Sequence, residues 1–282
     1  MASCDNSQAD YSFVAVKPSQ TRYSSVNGLP MYYEIYGKGD PLVLIHGGGS
    51  TIGTTFGRVL PQLAQSRQLI AVELQAHGRT SDRDADLSFE QDADDVAALL
   101  HTMGIVKADF FGFSNGGTTV LQIAIRHPQL VNALILGSAL AKRDGAPEGF
   151  WEFMDQAQIE QMPEQLKEAY RDVAPDTNGL QIMHDRDVKR MVNFKDIPDS
   201  ALSGIQSPAL IMIGDKDMIL PEHAVWLSRL IPNARLAIIP GGHGEYIGEI
   251  TTLKQPEKKD WVGAKLVEEF LDGLKQRSNQ QH

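Results

Sequence analysis

The apolar positions of this chain follow two rhythms, short continuous runs and stripes at helical spacing. Residues 41–45 are a continuous apolar run, read as a buried strand, and they end at His46-Gly47-Gly48-Gly49. Phe56, Val59, Leu60 and Leu63 then share one face of a predicted helix, followed by a strand over 68–72. Ser88-Phe89-Glu90-Gln91 has the pattern of a capping box and opens a helix carrying Phe89, Ala93, Val96, Leu100 and Met103. A further apolar run, Phe110-Phe111, leads through Gly112-Phe113-Ser114-Asn115-Gly116-Gly117 into the helical stripe Val120, Leu121, Ile123, Ala124 and Ile125. Residues 131–136, 209–213 and 235–239 are read as strands, residues 221–230 as a helix. A last helix carries Trp261, Ala264, Val267, Leu271 and Leu274. At the front, 21–26 and 30–36 flank Asn27-Gly28, a strong hairpin signal. This alternation predicts an α/β fold, a mostly parallel, doubly wound sheet begun by an antiparallel hairpin.

The rhythm breaks once. Residues 141–205 carry aromatics and methionines (Phe150, Trp151, Phe153, Met154, Met162, Met183) among many charges, without a β-branched run. They are read as short helices inserted between two strands of the sheet. The expected organisation is a flexible segment 1–20, a core of 21–140 and 206–275, the insert 141–205 and a disordered tail 276–282.

The 282 residues are 42% hydrophobic, ordinary globular usage. A net charge of −10 with no Lys/Arg cluster argues against nucleic acid as a partner. No apolar run is long enough to span a bilayer. The single cysteine, Cys4, excludes an intrachain disulfide and a thiolate metal site. No histidine/carboxylate spacing matches a metal site either, so neither metal nor organic cofactor is expected. As written, the sequence reads as cytoplasmic. The alternative is a trimmed lipoprotein, since Ala2-Ser3-Cys4 resembles the end of a lipoprotein signal.

The chemistry centres on Ser114. An apolar strand, the pattern Gly-x-Ser-x-Gly and a helix form the context of a nucleophile elbow. A serine hydroxyl needs a base in contact and a third group to hold that base. Of eight histidines, His243 is best placed, in a Gly-Gly-His-Gly turn after the last strand. The ends of parallel strands gather at one edge, so this turn shares an edge with Ser114. The acid comes from Gly214-Asp215-Lys216-Asp217, where spacing alone leaves both aspartates open. The oxyanion of an acyl-transfer intermediate requires two backbone N–H donors, read as Asn115 and, from the glycine loop, Gly48. His46 is read as structural. A pocket is expected from Gly49, Phe113, Phe150, Trp151 and Met154.

Taken together, His46-Gly47-Gly48, His77-Gly78-Arg79-Thr80, Gly112-Phe113-Ser114-Asn115-Gly116, Gly214-Asp215-Lys216-Asp217 and Gly242-His243 resemble the α/β-hydrolase superfamily, over residues 22–274. The resemblance implies Asp217 rather than Asp215 as the acid, and a helical cap in the insert. It departs where the usual Asp-x-x-Gly-His-Gly loop reads Glu73-Leu74-Gln75-Ala76-His77-Gly78. The stretch after His243 is also longer than usual, with Glu245 and Glu249 placed to border the site. The family's aspartate-dependent dehalogenases and epoxide hydrolases do not fit a serine nucleophile. What the resemblance implies is a serine hydrolase on a small ester or lactone. Alternatives are a carbon–carbon hydrolase, an iminopeptidase-like amidase binding an amine through Glu148, Glu152, Glu160 or Glu164, or a ligand receptor retaining the triad. A homo-oligomer is left open.

Overall fold

Asn27 and Gly28 both adopt positive φ, 48° and 79°, which a two-residue turn between twisted strands requires. They join β1 (Gln20–Val26) to β2 (Leu29–Tyr36) as an antiparallel hairpin in a computed structural model that describes residues 16–253 and 260–280. Cys4 lies outside the described residues, as do residues 254–259 of the stretch after His243. Of the segment expected to be flexible, 1–15 are likewise outside. Its end is tied down, with Ser19 N–H donating to Ile35 O at 2.7 Å and β1 starting at Gln20.

Six further strands complete the sheet: β3 (Asp40–Ile45), β4 (Arg67–Val72), β5 (Ala108–Phe113), β6 (Val131–Gly137), β7 (Ala209–Gly214) and β8 (Ala234–Ile239). Their order is β1-β2-β4-β3-β5-β6-β7-β8, with β2 antiparallel to β4 and every later pairing parallel. The helices are α1 (Ile52–Phe56), α2 (Leu60–Leu63), α3 (Phe89–Thr102), α4 (Asn115–Arg126), α5 (Phe150–Asp155), α6 (Glu164–Val173), α7 (Gly179–Val192), α8 (Asp199–Ser203), α9 (Pro221–Leu230) and α10 (Val262–Gln280).

Alternate strand residues supply two cores, one on each face. Val43, Ile45, Phe110, Leu134 and Ile211 pack with α3, α4 and α9. Leu42, Leu44, Phe111, Ile135 and Met212 pack with α1, α2 and α10. Each fully buried large apolar side chain contributes roughly 1.5–3 kcal/mol of transfer free energy. The insert between β6 and β7 holds α5, α6, α7 and α8.

Three local expectations are corrected. The helix expected across Phe56–Leu63 is two short helices, because the chain turns at Gly57, Arg58 and Val59 before Pro61 starts the second. The capping box at Ser88 is half made. Its hydroxyl accepts from Gln91 N–H at 3.1 Å, while the Gln91 amide turns forward to Asp95. The tail expected to be disordered from 276 is helical through Gln280, as the end of α10.

Candidate active site

β5 carries the chain into Ser114, which sits at φ 55° and ψ −122°, a conformation non-glycine residues avoid. Two neighbours make the turn feasible. A Cβ on Gly112 would collide with Gly116 O, and a Cβ on Gly116 with Ile45 O, so strand, turn and helix close without side chains between them. Ser114 N–H donates to Gly137 O at 2.7 Å, and Ser114 O accepts from Gly117 and Thr118, which starts α4. The hydroxyl-bearing residue is therefore held at the helix mouth, where first-turn amides favour negative charge.

Across the same sheet edge, the turn after β8 presents His243. Its Nδ1–H donates to Asp217 Oδ1 at 2.6 Å. Asp217 Oδ1 also accepts from Ile219 N–H at 3.0 Å, and Oδ2 accepts the Ser138 hydroxyl at 2.6 Å. With its proton committed there, Ser138 accepts from the Tyr246 hydroxyl at 2.9 Å. Burial pushes the Asp217 carboxyl up, but the hydrogen bonds from His243 and Ser138 outweigh it and hold its pKa below the ordinary value. Asp215 instead accepts from Gly241 N–H at 2.8 Å, bracing the turn. The structure thus brings Asp217, not Asp215, against the imidazole.

Ser114 and His243 both line a cavity of about 430 Å³. Gly48, Gly49, Phe113, Asn115, Phe150 and Met154 line it too. Trp151 does not, which corrects the expectation. Its indole packs on Phe150 and Phe194, lies under the Arg143 guanidinium and donates to Arg143 O at 2.9 Å, so its aromatic surface is spent inside the insert. Glu148, Glu152, Glu160 and Glu164 are all exposed and off the cavity, and Glu164 pairs with Lys167 and Arg171. The cavity's carboxylates are others, Glu249 and Asp187. Glu249 is 4% exposed and its Oε2 accepts from Thr251 N–H at 2.8 Å. Glu245 accepts from Gly242 N–H at 3.1 Å and does not line the cavity.

The glycine loop after β3 distributes its amides unequally. Gly47 N–H reaches Thr55 Oγ1 at 3.4 Å and Gly49 N–H reaches Asp187 Oδ2 at 2.6 Å. Among the described residues Gly48 N–H has no protein partner, and Gly48 abuts the Asn115 side chain. His46 is structural in its contacts. Nδ1–H donates to Gly47 O at 2.7 Å and Nε2 accepts from Leu74 N–H at 3.1 Å, fixing the neutral tautomer. Burial and the neighbouring His77 push its pKa down to about 3. The loop that begins with Glu73 keeps a carboxylate's role at one extra methylene. Glu73 is fully buried and accepts from Arg79 N–H at 2.6 Å and from the Arg79 guanidinium at 2.8 Å.

Of the other histidines described, only His184 reaches the cavity. His101 is exposed on α3, and His127 is half-buried against Asp94 at 2.7 Å. His223 is buried and accepts from Ala141 N–H at 3.0 Å. His184 lines the cavity with Nδ1 3.0 Å from Asp185. Ser138, Tyr246 and Asp187 were not identified from sequence. Ser138 alone carried a local signal, as the first polar residue after the apolar strand β6.

A hydroxyl at a helix mouth, an imidazole held by a buried carboxylate and an unpaired amide in an adjoining loop form an arrangement able to carry out acyl transfer. Comparison with known proteins shows the fold family. Residues 40–187 match the family model for the alpha/beta hydrolase fold. The human "Serine hydrolase BPHL" is 28% identical over 245 residues, 77% of this chain and 78% of that protein. The 2-hydroxymuconate semialdehyde hydrolase of Pseudomonas sp. (strain CF600) is 41% identical over 108 residues, 36% of this chain and 38% of that one. Among solved structures, a serine hydrolase involved in carbazole degradation (CarC enzyme) superposes with a TM-score of 0.73 at 22% identity, covering 90% of this chain and 98% of that one.

Proposed function

The chain belongs to the alpha/beta hydrolase fold family, and on that premise we propose that it cleaves a small carboxylic ester or lactone through an acyl-enzyme. The observation that carries this reading is the 2.6 Å bond from His243 to Asp217 beside a cavity that Ser114 also lines. Ser114 Oγ attacks the ester carbonyl while His243 takes its proton and Asp217 stabilises the imidazolium. The oxyanion is met by the N–H groups of Asn115 and Gly48. As the tetrahedral intermediate collapses, His243 returns the proton to the leaving alkoxide. Water, deprotonated by the same histidine, then releases the acid and restores Ser114. Phe113, Phe150 and Met154 on the cavity wall suit an apolar acyl or aryl group.

A second reading, carbon–carbon hydrolysis, draws on the similarity to the 2-hydroxymuconate semialdehyde hydrolase. The amine-binding reading loses its support, because the glutamates it needs face solvent. Turnover of short p-nitrophenyl esters and small lactones tests the proposal. Hydrolysis that disappears in a folded Ser114→Ala protein supports it, and an active Ser114→Ala protein defeats the nucleophile assignment. Faster turnover of 2-hydroxymuconate semialdehyde than of any ester would move the conclusion to the second reading. No Ser114-dependent turnover at all would leave a ligand-binding protein.

A further inference from the structure

A second group of buried charges, apart from the triad, borders the cavity. Asp187, on α7 of the insert, is 8% exposed and reaches across to the core. Its Oδ2 accepts from Gly49 N–H at 2.6 Å and from His77 Nε2 at 2.9 Å, and its Oδ1 is held by Arg190. His77 Nδ1 faces Gln75 O at 2.8 Å, so both ring nitrogens donate and the ring carries charge. Arg190 in turn pairs with Asp92 on α3 at 2.7 Å. A carboxylate fixed from two sides by cations is a rigid acceptor, and its third donor is the backbone of the glycine loop.

That placement matters because Gly49, at φ 64°, follows directly on the amide assigned above to the oxyanion. A Cβ on Gly48 would strike the Asn115 amide and lie 3.2 Å from Asp187 Oδ2, so the loop is threaded between α4 and α7 with no room to spare. We propose that Asp187 is a positioning residue: by holding Gly49 N–H from the insert, it aims Gly48 N–H at the oxyanion, so that this donor is in place only while α7 is seated on the core. Besides buried Leu180, Met183 and Met191, the seat has an ionic part outside the cavity. Arg186 reaches Asp82, Asp84 and Asp86 at 3.0–3.1 Å, and Lys189 reaches Asp86 at 2.7 Å.

This inference rests on the acyl-transfer reading, and its test separates the two. In Asp187→Ala, which removes the acceptor that holds Gly49 N–H, kcat on a p-nitrophenyl ester falls about 10–100-fold, the scale of a misplaced donor. KM stays within about threefold, since a positioning loss falls on the transition state. The inhibition constant of a trifluoromethyl ketone, which forms a tetrahedral oxyanion with Ser114, rises by the same factor as kcat/KM falls. A purely structural role would lower the melting temperature and leave the per-molecule kcat and the ketone affinity of the folded protein as they were. That result, or an unchanged kcat, overturns the proposal while leaving the hydrolase standing. A wild type with no Ser114-dependent turnover removes both. Hydrogen exchange on the wild type is the independent check if the variant does not fold. The Gly49 amide is protected and loses protection together with α7, and free exchange of Gly49 with α7 still protected overturns the proposal.

Discussion

Ser138 donates its hydroxyl proton to Asp217 over 2.6 Å, at the carboxylate oxygen that His243 does not use. The acid is thereby held at both oxygens, and the Tyr246 hydroxyl backs the serine at 2.9 Å. Ser138→Ala leaves Oδ2 with only the long contact from Gly214 N–H. A hydrogen bond to a charged group contributes about 1.5–3 kcal/mol. Its loss is expected to lower kcat roughly tenfold and to move the acidic limb of the pH–rate profile upward. A kinetic profile from pH 4 to 8 checks both.

Asp217→Asn and Asp215→Asn separate two aspartates that spacing alone could not rank. Asp217 meets the imidazole and Asp215 braces Gly241. The first substitution is expected to lower kcat by about 10⁴-fold, as for an imidazole left in the wrong tautomer. The second weakens the turn and costs far less. Steady-state kinetics on a p-nitrophenyl ester decide the order.

Ser114 stores backbone strain at φ 55° and ψ −122°. A residue held in such a region costs of order 1–3 kcal/mol, and glycine escapes most of it. Ser114→Gly is therefore expected to be more stable than both wild type and Ser114→Ala while losing activity. Urea denaturation midpoints at neutral pH provide the comparison.

His46 and His223 are buried and neutral, and burial pushes them down to about 3 and about 4. Each binds a proton in the unfolded chain, near pH 6.5, that it excludes when folded. Their stabilisation is complete above about pH 6.5. It is lost as pH falls toward 4 for His223 and toward 3 for His46. Each adds a slope of about 1.4 kcal/mol per pH unit inside its window. Unfolding free energy measured between pH 7 and 4.5 is expected to fall accordingly. His223→Gln should flatten that slope by one proton.

The sheet and the clustering of the candidate site residues at one edge were legible because each depends on local pattern. Gly112, Ser114 and Gly116 form a turn whose sterics reside within two positions either side of one hydroxyl. Asp217 and His243 each follow a strand end, and a parallel sheet collects such ends at one edge. Trp151 misled for a physical reason, since an aromatic in an insert can fill its own small core as readily as line a cavity. Asp187 was hidden among the charges of α7, where Asp185, Arg186 and Lys189 look the same in sequence and differ only in what lies opposite them. Ser138 and Tyr246 meet at Asp217 from separate segments, a coincidence of tertiary packing with no shared pattern.

The contact between Asp187 and Gly49 has a consequence for recombination. A segment that enters and leaves the chain between β6 and β7 looks like an interchangeable module. A chimaera that imports a foreign lid at those junctions would nevertheless deprive the host's glycine loop of its acceptor, unless the graft brought a carboxylate to the same spot. Swapping lids to alter selectivity in this scaffold therefore means transplanting a carboxylate along with the new walls.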